Sequence, residues 1–179
     1  MLEVIKAPNS RLRIKTKAVK KINNGLIDLT RQMIKLTITF KDPEGVGLAS
    51  TQVGLDGSFF VALSTSPKKN QKPKFMTVFN PKILISSKGV KTRFEGCLSI
   101  PNYWGQVKRY TNVKVSYQDE SGKIVTKTLT GLLAHIFQHE IDHLNGILFS
   151  DKVLQQKGKF YKFTGKDKAG TDTFEEVTI

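Results

Sequence analysis

The stretch QHEIDHLNG, residues 138–146, carries two of the chain's three histidines four residues apart, with a glutamate directly after the first. Leu132, Leu133, Ile136 and Ile141 recur around it at near-helical intervals, Thr130 stands where an N-cap would, and Asn145-Gly146 is a stop signal. A helix is therefore expected over residues 132–145. At about 3.6 residues per turn, His139 and His143 lie one above the other on one face, with Glu140 turned about 100° away. Two imidazoles so spaced reach one metal ion, while the adjacent carboxylate stays uncoordinated and free to take a proton from water activated there. The competing reading is a helix at the core edge whose histidines merely bond backbone. With only three histidines in the chain and two of them in register, the metal reading is favoured.

A catalytic site of this type needs a third protein ligand and one open position. Downstream, the place where one peptidase group puts a third histidine is Phe149, which cannot bind a metal, and the next glutamates are Glu175 and Glu176, in a tail. Upstream, the only cysteine, Cys97, stands in EGCLS, residues 95–99, within a segment expected to be extended. A lone thiol is more often a small buried hydrophobe, but beside an unfilled two-histidine site it is the candidate ligand.

Composition bounds the rest. At 179 residues and 39% apolar content, one well-buried core is expected and two full domains are not. Twenty-nine Lys plus Arg against 15 Asp plus Glu give a formal charge of +14, which favours acidic partners such as ribosomal RNA or anionic lipid. One cysteine excludes an internal disulfide framework and suits a reducing compartment. No apolar run approaches the ~20 residues needed to span a bilayer, so no membrane partner is expected. The N-terminus lacks the apolar segment of a secretory signal.

Along the chain, residues 24–40 place Leu26, Leu29, Met33, Ile34 and Leu36 near helical spacing, and an N-terminal helix ending at Lys41-Asp42-Pro43 is expected. Strands are expected over residues 58–63, 75–79 and 82–85, the last two broken by Asn80-Pro81 because proline cannot donate to a central ladder. Residues 66–74 read as an exposed basic loop, and residues 113–117 and 123–129 as the arms of a hairpin. The expected architecture is α+β: mostly antiparallel sheets around a central helix bearing the histidines, with a helix near the N-terminus. After residue 153 the chain turns basic and turn-rich, giving a catalytic unit over residues 1–153 and an extended or hairpin-like extension over residues 154–179.

Three stretches taken together, GVGLASTQ (residues 45–52), EGCLS and QHEIDHLNG, resemble the ordered motifs of the peptide deformylase family, and APNSRLR resembles its opening. The resemblance covers roughly residues 1–153, with Ser50 in place of a second alanine. It implies removal of the formyl group from the N-terminal formyl-methionine of nascent chains. Cys97, His139 and His143 would hold one divalent ion, typically ferrous iron, with zinc, nickel or cobalt able to occupy the same ligands. Glu140 would be the general base and acid, while the side chain of Gln52 and the amide of Leu98 would stabilise the oxyanion. Val46, Gly47 and Gly96 would present backbone to an extended peptide. Glu95, Arg109 and Asp142 are the charges near the motifs, with Glu95 paired to Arg109 beneath the metal loop.

Helix positions one turn before His139 share its face, so Leu132, His135 and Ile136 are expected to border the substrate's first side chain. His135 and, on the strand side, Arg93 suit a thioether less well; an exposed histidine is the expected state of His135, an extra ligand the alternative. The first motif begins about 45 residues in, which points to a bacterial cytoplasm rather than an organelle. A monomer is expected, with transient ribosome association as an option carried by charge alone. Two other classes stay open on residues alone: a zinc endopeptidase, which needs a ligand after His143, and a basic RNA-binding module, for which Tyr103, Trp104 and Tyr110 beside Lys108 and Arg109 would supply stacking.

Overall fold

The computed structural model describes residues 2–41, 43–65 and 72–178. Helix α1 (Asn24–Thr39) starts where the Asn23 side chain accepts from the Leu26 amide, satisfying one of the amides a helix start leaves unpaired. It buries Thr30, Met33 and Thr37, the stripe expected of an amphipathic segment. Strands β1 (Gly47–Ala49), β2 (Phe59–Thr65), β3 (Lys74–Ser86), β6 (Asn112–Gln118) and β7 (Ile124–Thr130) form a five-stranded sheet in the order β1-β2-β3-β6-β7. Strands β4 (Val90–Cys97), β5 (Ile100–Tyr110), β8 (Phe160–Lys166) and β9 (Asp172–Val177) form a second sheet in that order. Every strand pair within the two sheets is antiparallel. Helices α2 (Gly131–Leu144) and α3 (Phe149–Gln155) complete a mixed α+β fold, with three α-helices among the described residues.

The period-2 alternation of β2 positions the site. Phe60 and Ala62 cluster with Ala134, Ile136, Phe137 and Leu144 of α2, whereas Phe59 and Val61 cluster with Met33 of α1 and Leu48 of β1. One helix therefore covers each face. Phe60 meets Phe137 edge-on at 5.0 Å between ring centroids, an arrangement favoured by the ring quadrupoles. A third cluster joins Phe149 and Val153 of α3 to Val107 of β5, Phe160 of β8 and Cys97.

Two readings need correction. The chain from 74 to 86 is one strand rather than two, because the bulge at Asn80-Pro81 takes the proline out of the ladder. Asn80 there has φ +50° and its side chain accepts from the Val19 amide and donates to the Val19 carbonyl and to Gln118. Helix α3 was not expected; its start is fixed by Asp151, whose carboxylate accepts from the Leu148 amide. Thr130 does sit at the N-cap of α2 but makes no capping bond. At the other end Gly146 has φ +73°, a conformation that favours glycine. The basic loop read at residues 66–74 lies largely outside the described residues, as does Asp42.

Among the described residues no helix is long and apolar enough to cross a membrane.

Candidate metal and active site

Helix α2 carries His139, Glu140 and His143, and the end of β4 brings Cys97 to them. One ligand-capable atom from each of Cys97, His139 and His143 lies within 4.8 Å of the others. Cys97 Sγ is 3.2 Å from His143 Nε2, and Cys97 and His143 are 3% and 1% exposed. Ligand bonds of about 2.0–2.3 Å to a common ion bring donor atoms together on this scale. A thiolate with two imidazoles, beside a buried carboxylate oxygen (Glu140 Oε2) that has no partner among the described residues, is a donor set that fits a borderline divalent cation.

His139 is oriented from behind. Its Nδ1 lies 2.9 Å from Glu95 Oε2, and a carboxylate on one imidazole nitrogen fixes the tautomer and leaves the other nitrogen for a ligand role. Glu95 also accepts two bonds from Arg109, at 2.8 and 3.0 Å, and Arg109 extends to Asp142. The sequence prior for such charges is a solvated surface; instead Glu95 and Arg109 are buried. The hairpin register explains how: Lys91 pairs with Arg109 and Glu95 with Gly105, so Arg109 and Glu95 stand two side-chain steps apart on one face. Burial alone would raise the Glu95 pKa, but bonds from His135, His139 and Arg109 outweigh it and hold the carboxyl far below its usual range. Arg109→Ala removes two of the bonds to that carboxylate and its paired cation, and a broken buried pair costs about 3–5 kcal/mol. The variant is expected to unfold at correspondingly lower urea concentration, and to bind metal about 10–100-fold more weakly in a chelator competition; unchanged values in both would refute the role of the pair.

His135 is not exposed, and it does not join the cluster of Cys97, His139 and His143. It is 9% exposed, and its Nε2 lies 3.0 Å from Glu95 Oε1. It thereby completes the set of donors around Glu95. It also lines a cavity of about 290 Å³ together with Val46, Gly47, Gln52, Glu95, Gly96, Cys97, Leu98, Leu132, Ile136, His139 and Glu140. Arg93 does not line that cavity. The structure adds Pro43, Glu44, Phe94 and Trp104 to the wall. Phe94 was legible in principle, since it shares a strand face with Gly96 two residues on.

Burial pushes the Glu140 pKa up to about 7, with the charges of His139 and Arg109 pulling it down and that of Glu95 pushing it up. Burial and the His139 charge hold His143 well below its usual pKa, so it is neutral. Burial opposes charge on His139 too, yet Cys97, Glu95 and Glu140 raise it well above normal in the absence of a cation. Gly47 lies against Glu140 so tightly that a Cβ would fall inside the contact distance of Oε1. Gln52 Oε1 accepts from the Ala49 amide, and its Nε2 faces Cys97 Sγ at 3.4 Å and Ser99 Oγ at 3.1 Å. Ser99, buried and bonded to Gln52, went unremarked in the sequence. Lys6 donates to the Leu98 carbonyl at 2.6 Å, which ties down the turn at Leu98.

The two rival readings gain little from the geometry. Arg109 is bound by carboxylates and Trp104 is stacked on Phe94, which removes two of the five residues of the RNA-binding reading, while Tyr103, Lys108 and Tyr110 are exposed. Glu175 and Glu176 lie on β9, and the metal cluster found among the described residues does not include them.

The family model described as polypeptide deformylase matches residues 1–159. The chain is similar to the peptide deformylase of Desulfotalea psychrophila, 37% identical over 162 residues, 90% of this chain and 93% of that protein. It is 39% identical to that of Borreliella burgdorferi over 150 residues, 84% of this chain and 86% of that one. The crystal structure of the Thermotoga maritima peptide deformylase superposes with a TM-score of 0.75 at 35% identity, covering 85% of this chain and 97% of that chain. With the motifs, the fold and these likenesses in agreement, the chain belongs to the polypeptide deformylase family.

Proposed function

We propose that this chain hydrolyses the formyl group from the N-terminal formyl-methionine of nascent polypeptides and releases formate. The observation that carries the reading is the convergence of Cys97, His139 and His143 within 4.8 Å, beside Glu140 and at the wall of an apolar-lined cavity. Those three residues would hold one divalent ion, which when bound supplies Lewis acidity toward the formyl carbonyl and toward water. Ferrous iron is our choice of native metal, with zinc, nickel or cobalt suited to the same donors.

The chain's own groups do the rest. Glu140 takes the proton of the attacking water at its carboxylate and returns it to the departing amine; a pKa near neutrality suits both duties. Gln52 Nε2, next to Cys97 Sγ, and the Leu98 amide donate to the developing oxyanion. Val46, Gly47 and Gly96 pair with the peptide backbone, while Leu132, His135 and Ile136 border its first side chain. Glu95, Arg109 and Asp142 hold the ligand histidine behind the site. In this reading α2 is the central element of the fold, residues 1–153 make the catalytic unit and residues 154–179 an extension. The site is complete within one chain, which suits a monomer, and the setting is the bacterial cytoplasm, with the surface lysines available for transient, salt-sensitive ribosome contact.

The test is anaerobic purification, metal quantification and release of formate from a formyl-Met peptide; one metal per chain with turnover is expected, and a metal-loaded protein without turnover would sink the reading. Within it, Gln52→Ala removes one oxyanion donor, worth about 2.7–4 kcal/mol in comparable sites. A fall in kcat of about two to three orders of magnitude with metal content intact is the expected result.

A further inference from the structure

Phe94 and Trp104 line the pocket, and both lie outside the three motifs that mark the family. Their rings stack at 5.6 Å and 10° between planes. Phe94 is 39% exposed and is braced by other rings besides Trp104. Those rings belong to the C-terminal hairpin of β8 and β9. Tyr161 of β8 lies 4.9 Å from Phe94, and Phe174 of β9 meets Phe94 edge-on at 4.9 Å and 79°. The same Phe174 ring meets Trp104 at 5.6 Å and 74°, and Phe163 backs it at 5.8 Å. Two ladders bring these rings together: Trp104 pairs with Tyr161, and Phe163 with Phe174. On its other flank the indole lies over Gly96, where an added Cβ would meet three ring atoms at 3.0 Å. Trp104 is therefore fixed between the peptide-pairing strand and Phe174.

We propose that the C-terminal hairpin is part of the substrate-binding machinery, with Phe174 the positioning residue that holds the Phe94–Trp104 wall in the shape that grips an unbranched apolar side chain. The proposal rests on the deformylase reading of the site. Phe174 does not itself line the cavity and acts through the two rings it touches. It lies beyond residue 159, where the match to the family model ends. A thioether gains from contact with aromatic ring edges, so the placement of those rings bears on how a methionine side chain is held. Two edge-to-face contacts hold this wall, and each such pair contributes enough to shift an equilibrium several-fold.

Trp104 is the only tryptophan, so its emission reports the wall directly, without metal or turnover. The experiment compares the full-length metal-loaded wild type with Phe174→Ala, using formyl-Met-Ala-Ser as substrate. KM is expected to rise about tenfold, with kcat within twofold and metal content unchanged, and the Trp104 emission to shift to the red. Phe174→Leu, which keeps apolar volume but no ring edge, is read in the same way should the alanine variant not fold, with KM expected several-fold above wild type. A KM within twofold of wild type overturns the proposal, as does a fall in kcat as large as the rise in KM. Wild-type protein that loads metal but releases no formate overturns the reading of the site instead, whereas normal wild-type turnover with an unmoved KM in the variant overturns only the role of the hairpin.

Discussion

Glu140→Gln is expected to keep the metal and lose about 10²–10⁴-fold in kcat, the usual worth of a positioned general acid and base. The carboxylate lies outside the three-residue ligand set and is 3% exposed, so the substitution removes a proton acceptor without removing a ligand. Its pH signature follows from burial. A base works when ionised, so wild-type kcat/KM should rise with pH through the Glu140 pKa, about 7 in the absence of a cation. A bound cation favours the carboxylate and moves this limb lower. In Glu140→Gln the limb should vanish while residual activity stays flat across the same range.

The same substitution has a stability readout of opposite sign. With its folded-state pKa raised from 4.5 to about 7, Glu140 leaves the metal-free fold unaffected at low pH and weakens it progressively as pH rises through that window. Removing the ionisable group removes the loss, so metal-free Glu140→Gln should show a flatter profile of stability against pH in urea titrations between those values. A variant that lost activity because it was misfolded would show the reverse, lower stability at every pH. Active-site carboxylates held against their solvation preference commonly show this exchange of stability for function.

What could be read in the sequence divides by range. The helix of His139 and His143 was legible because its evidence is local: apolar spacing, two ligands at one-turn separation, and a stop at Asn145-Gly146. The hairpin of β6 and β7 was legible for the same reason, a polar turn between alternating arms. Proline at 81 misled, because its cost in a ladder vanishes at a bulge, and the bulge depends on Asn80 reaching Val19 and Gln118 far away in the chain. Helix α3 was missed because seven residues carry too little periodicity to stand out. In the site, the family motifs pointed to Cys97, whereas no local pattern distinguishes a buried Glu95 and Arg109 from surface charges. His135 looked exposed because the partner that buries it, Glu95, sits 40 residues earlier on another element. The aromatic wall was least visible, being assembled from Phe94, Trp104, Tyr161 and Phe174 on four different strands.

Cys97→Ala is expected to give a folded protein that no longer retains stoichiometric metal and shows no measurable formate release. The thiol is 3% exposed and packs in a small cluster with Val107, Phe149, Val153 and Phe160, so a purely structural cysteine is the competing account. The two accounts separate cleanly. A structural cysteine replaced by alanine leaves a small cavity, about 1 kcal/mol of lost stability, and metal content untouched. A ligand cysteine removes one of the three protein donors that converge here, and two imidazoles alone do not hold an ion against dilution or chelator. Loss should therefore appear first in metal analysis after dialysis, then in activity, with thermal unfolding of the metal-free forms of variant and wild type within a few degrees of each other. The thiolate should also make the site oxidisable, since Cys97 has no second cysteine with which to form a reversible disulfide within the chain. Aerobic peroxide treatment is expected to release metal from wild type in step with loss of activity. Retention of metal by Cys97→Ala would break the three-ligand assignment itself, because no other described group joins His139 and His143 in a metal-ligand cluster.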